Sequence, residues 1–110
     1  MIKLVPVDKK LVDYLKLLGF RKIEDLTLEQ GNCLFVKIIN DFKSGKLSLD
    51  ELSVLGSKIF HGIAKTKGEG SDLFFTSLVA ADLGFEIRNA YENVPLHMKD
   101  IDEFFEKYNK

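Results

Sequence analysis

Apolar residues recur at helical spacing along almost the whole chain, and no strand-like alternation competes with them. Val7, Leu11, Tyr14, Leu15 and Leu18 share one face of a first helix, about Lys9 to Leu18, with Asp8, Lys9, Asp13 and Lys16 on the other. Asp8 is placed to cap it, Val7 and Val12 to staple it, and Gly19 to end it. Phe20 to Leu26 is a connection with a helical turn at Lys22 to Leu26, whose Phe20, Ile23 and Leu26 dock a corner onto the core.

Thr27 with Gln30 forms a capping box for a second helix, Leu28 to Lys43, striped by Leu28, Phe35, Ile38, Ile39 and Phe42. Gly31 weakens its first turn by about 1 kcal/mol relative to alanine. The strongest start signal opens the third helix: Ser48 as cap, Glu51 as reciprocal partner, Leu47 and Leu52 as staple. Leu52, Leu55, Ile59 and Ile63 form its stripe. Lys65 to Gly70 is a flexible polar loop, and Ser71 caps a fourth helix from Asp72.

That fourth helix is apolar on more than one face through Leu73, Phe74, Phe75, Leu78, Val79 and Leu83, so it is central or lies in an interface. It runs through Gly84 to about Glu92, where Asn93-Val94-Pro95 makes a break. Met98, Ile101, Phe104, Phe105 and Tyr108 mark a shorter fifth helix. The expected fold is all-α: residues 1–110 form a single-domain bundle of four main helices plus a short C-terminal one, with the second and third as a hairpin.

Composition agrees with a folded domain: 45% of residues are apolar and 30% charged. A net charge of -1, with Arg21 and Arg88 as the only arginines, argues against nucleic acid as a partner. Cys33 stands alone among Leu34, Phe35 and Ile38, as a small core residue in a reducing compartment would. Met1 to Pro6 is too short and too soon charged to read as a signal peptide, and no apolar run reaches a membrane span of about 20 residues. The expectation is a cytoplasmic protein with no membrane partner.

Chemistry is sparse. His61, in the third helix, and His97, in the loop before the fifth, have no partner at metal-ligand spacing. Gly68-Glu69-Gly70-Ser71 lacks the Gly-Lys-Ser/Thr ending of a phosphate cradle, and no nucleophile has a base in a local signature. No enzyme activity, metal or cofactor is read from the sequence.

Asn40 to Glu51 resembles an EF-hand calcium loop: Gly45 stands at the sharp turn, Leu47 at the buried aliphatic, Ser48 at the ninth position and Glu51 at the last ligand. Phe42 stands where an oxygen is needed, and with Phe35 it continues the stripe of the second helix. The segment therefore reads as a hinge rather than a metal site. Phe42-Lys43-Ser44-Gly45-Lys46-Leu47-Ser48-Leu49-Asp50-Glu51-Leu52 also resembles the interhelical turn of small bacterial immunity proteins of the colicin D type. That resemblance implies a helical bundle that binds a nuclease toxin and covers its active site with acidic residues.

The functional expectation is a non-enzymatic protein-binding protein, in its sharpest form an immunity or antitoxin protein against a basic nuclease. Glu92, Asp100, Asp102, Glu103 and Glu106, which outnumber the lysines of this end, are the expected partner-binding residues. The alternatives are a homodimer or larger homo-oligomer that meets its own copy through the fourth helix, and an EF-hand-like sensor that no longer binds calcium.

Overall fold

The stop and start signals on either side of the turn between the second and third helices are read by the backbone residue for residue. The computed structural model describes residues 6–89 and 94–109, and the side chains of 9–83 and 98–109. Helix α1 is Pro6–Leu18, a 3-10 turn is Ile23–Asp25, α2 is Leu28–Lys43, α3 is Leu49–Ile59, α4 is Asp72–Asn89 and α5 is Val94–Tyr108. Among the described residues there is no strand, and the expected all-α bundle is the fold. A Cα radius of gyration of 13.2 Å is that of one packed body of this length, for which about 13 Å is usual.

Two glycines end helices by the same device. Gly19 (φ 85°) and Gly45 (φ 86°) adopt the left-handed conformation that costs other residues a steric penalty. After Gly19 the Phe20 N–H returns to the Leu15 carbonyl at 2.9 Å, and after Gly45 the Lys46 N–H returns to that of Asp41 at 2.8 Å. Each bond occupies a carbonyl that a helix end leaves unpaired. Thr27 with Gln30, and Ser48 with Glu51, both close as reciprocal capping boxes. The α2–α3 hairpin is thus fixed from both sides of its turn.

Several boundaries differ from the expectation. Helix α1 begins at Pro6, so Asp8 lies inside it rather than at its cap; proline serves at the first turn because that N–H has no intrahelical partner in any case. The expected staple joins Val12, which is half exposed, to Val7, whose side chain lies outside the described residues. Helix α5 likewise starts at Val94, with Pro95 in its first turn, which places His97 within the helix rather than in a loop. Cys33 points to solvent, because the stripe of α2 turns Leu34 and Phe35 inward and leaves its neighbour outside.

The core gathers one stripe from each helix: Tyr14 and Leu15, then Leu34, Phe35, Ile38 and Ile39, then Leu52, Leu55, Ile59 and Ile63, with Leu73, Leu83, Ile101 and Phe104 closing it. Beyond Ile59 the third helix passes through a π turn, Phe60–Ala64, before a last α turn, Lys65–Lys67. Gly62 lies in that turn, and a Cβ there would sit 2.5 Å from Ile23 Cγ2. The missing side chain lets the 3-10 turn dock directly on the helix.

Residues 65–70 are therefore not the flexible loop that their composition suggests. Lys65–Lys67 are helical, Gly68 is buried, and the Lys67 ammonium donates to the carbonyls of Glu24 and, at 2.7 Å, Leu26. Ser71 then caps α4 through its hydroxyl, which accepts from the Phe74 N–H at 3.1 Å.

Helix α4 packs most extensively on α3 and next on α5. Against α3 the contact is made by small residues. A Cβ on Gly56 would fall 2.6 Å from the Ala80 Cβ, and the Ser53 hydroxyl donates to the Ala81 carbonyl at 2.8 Å. Helix α5 is anchored at its other side on α2, where Phe104 meets Phe35 at 5.3 Å between ring centroids and Lys43 reaches Asp102 at 2.7 Å.

Candidate functional site

The outer side of α4 and the facing side of α5 do not close on each other; they flank an open trough of about 540 Å³. Its apolar surface comes from Phe75, Leu78 and Val79 of α4, with Phe104 of α5 beneath. Phe75 is 58% exposed and Leu78 37% exposed, high values for large apolar side chains. The unusual pattern of α4 has two causes: one face is small because it abuts α3, and the opposite face is apolar although it meets solvent.

Around that surface stand Asp82 from α4 and Asp100 and Glu103 from α5. None of the three has an ion-pair partner among the described residues. At the far end the Asp72 carboxylate accepts from both the Lys107 ammonium and the Tyr108 hydroxyl, each at 2.6 Å. Those two hydrogen bonds, Lys107's the larger, hold the Asp72 carboxyl below its ordinary range. They also raise the Lys107 and Tyr108 pKa values, so one end of the trough is internally neutralised and the remainder is anionic.

Of the five acids expected to bind a partner, Asp100 and Glu103 lie in the trough. Asp102 turns to α2 and pairs with Lys43, because its place on α5 faces the opposite side. Glu106 is exposed but does not line the trough, and Glu92 lies outside the described residues. The sequence does not single out Asp82, and it marks Phe75 as part of the surplus apolar surface of α4 without placing it beside the acids of α5. The signal for this wall was there: Asp72, Phe75, Thr76 and Val79 repeat at i, i+3, i+4 and i+7, with Asp82 seven residues beyond Phe75, and Asp100, Glu103, Phe104 and Lys107 repeat in the same way.

The hinge that resembles a calcium loop uses its oxygens in other ways. The Glu51 carboxylate accepts from the Ser48 N–H at 2.8 Å and from the Lys10 ammonium at 2.6 Å, and these bonds, Lys10's first, lower its pKa. Asp41 accepts the Tyr14 hydroxyl at 2.5 Å; burial and that carboxylate push the Tyr14 pKa up beyond the usual phenol range. Phe42 is half-buried against the core and Asn40 is exposed.

A second concavity, between α1 and this hinge, is smaller at about 390 Å³. There Lys10, Lys37 and Lys46 alternate with Asp13 and Asp41 around Leu17, so its charge is mixed and partly satisfied internally. No described helix is long and apolar enough to cross a membrane. No protein-family model, curated protein or solved structure matches this chain.

Proposed function

We propose that this chain is a non-enzymatic binding protein that captures and neutralises a basic protein, in the manner of an immunity or antitoxin protein. The α4–α5 trough carries the reading, because it joins exposed Phe75 and Leu78 to three carboxylates that have no internal cation among the described residues. Interfaces draw their affinity from such aromatic anchors and their partner choice from complementary charge. A nuclease must present cationic surface to hold phosphates. Asp82, Asp100 and Glu103 compete for that surface, and a protein seated there keeps nucleic acid out.

A symmetric homodimer through the same trough is the weaker reading. A two-fold axis sets each patch against its own copy, which would bring Asp100 and Glu103 of one protomer toward the like charges of the other. The exposed lone Cys33 fits a reducing, cytoplasmic setting.

The test is a mixture of the purified protein with the product of the adjacent reading frame, followed by light scattering and a nuclease assay. The expected result is a one-to-one complex without nuclease activity that weakens as salt rises from about 0.05 to 0.5 M. A complex indifferent to salt, or a nuclease still active within it, would overturn the reading.

A further inference from the structure

Helices α4 and α5 run antiparallel: residues 90–93 join them at one end, and Asp72 meets Lys107 and Tyr108 at the other. Each wall of the trough repeats at i, i+3, i+4 and i+7, so the trough follows the helix axes for the length from Asp72 to Asp82, about 15 Å or three turns. Extended peptides dock by adding a strand to a sheet edge, where free backbone groups await them. Helix interiors offer none, since their N–H and C=O groups are paired within the helix. A third helix instead fits by setting its side-chain ridges between those of α4 and α5.

Charge sets what that helix carries. Asp72 is already held by Lys107 and Tyr108, while Asp82, Asp100 and Glu103 occupy the middle and the opposite end. Resting on the binding role proposed above, we infer that the trough receives an amphipathic α-helix of about three turns from the partner, with an apolar stripe over Phe75, Leu78 and Val79. Its lysine or arginine side chains lie toward the Asp82–Asp100 end, and none is needed beside Asp72.

The probes are three labelled synthetic peptides of about 15 residues, followed by fluorescence anisotropy and backbone-amide NMR shifts. The first is a Leu/Ala/Lys helix with its leucines at i, i+3, i+4 and i+7; the second is a scramble of it; the third has Glu in place of Lys. The first should bind at least about tenfold more tightly than the other two and shift amides in 72–82 and 98–107. Phe75→Ala, and separately the double variant Asp100→Asn/Glu103→Gln, should each weaken it by about tenfold. Both act at exposed positions, and an unchanged circular dichroism spectrum verifies that each variant is folded.

Equal binding of the scramble or of the Glu peptide overturns the inference, as do shifts confined to other surfaces. A concentration-dependent dimer that Phe75→Asp dissolves assigns the trough to a second copy and overturns it too. If the peptide fails while the neighbouring gene product still forms a salt-sensitive complex, the helical occupant is wrong and the binding role stands. If the peptide binds and no such complex forms, the binding role is wrong and the trough's preference stands.

Discussion

The two sides of α4 solve opposite problems with the same helix. Toward α3, Gly56 sits so close to Ala80 that no atom can be added between the backbones, and Ser53 ties the two helices through the Ala81 carbonyl. Toward α5 the packing is less extensive, the ion pair at its end is exposed, and Phe75 stands in solvent. Small residues close a seam by letting backbones approach; large ones that fail to meet a partner leave it open. A helix apolar on nearly every side need not be buried on every side, and α4 is half core and half surface.

The sharpest way to break the closed seam is Gly56→Ala. Its methyl would meet the Ala80 Cβ and, at 3.2 Å, the Ser77 carbonyl, so the helices must part. A loss of about 1–3 kcal/mol is expected, read as a fall in thermal midpoint of several degrees or more. An unchanged midpoint would mean that the seam has slack. Ser53→Ala should cost less, about 0.5–1.5 kcal/mol, because it removes hydrogen bonding, that to the Ala81 carbonyl included, without adding an atom to the seam. Urea unfolding with an unchanged slope would verify that only stability moved.

The open seam should respond to pH more than to packing. The Asp72 carboxyl titrates below its ordinary value near 3.8 when folded, so its contribution is whole above that value and is lost as pH falls through the lower, folded one. Asp72→Asn should therefore lower stability modestly at neutral pH, the pair being exposed, and flatten the acid limb below about pH 4, so that the two proteins converge there. A parallel downward offset at every pH would instead mark Asp72 as a packing residue. The smallest effect is expected of Phe75→Ala, within about 0.5 kcal/mol, since a side chain this exposed contributes little to folding. A larger loss would mean that the open side belongs to the core.

Local signals were legible in the sequence because their chemistry is local. Thr27 with Gln30, Ser48 with Glu51, and the left-handed Gly19 and Gly45 each act within a few residues, and α2 occupies the residues that its caps demanded. The π turn at Phe60–Ala64 was not legible, since no local signal marks it, and the close approach of Ile23 to Gly62 within it comes from a distant part of the chain. Cys33 was misplaced by its apolar neighbours, though its own angle on the helix points outward. The trough was half visible: Asp100 and Glu103 stood out as acids on one helix, whereas Asp82 and Phe75 join them only when α4 is laid beside α5.

Lys65 and Lys67 are side chains that trypsin recognises, set in a glycine-rich stretch that composition would mark as an easy cut. A protease must draw several residues into an extended strand across its cleft, and here the backbone is helical through Lys67. For cleavage after Lys67, the ammonium that the enzyme's specificity pocket would have to engage is already held by the carbonyls of Glu24 and Leu26. Nicking at this site thus requires the corner formed by residues 23–26 to lift away first. The rate at which mild digestion cuts after Lys67 becomes a gauge of how firmly that corner is latched.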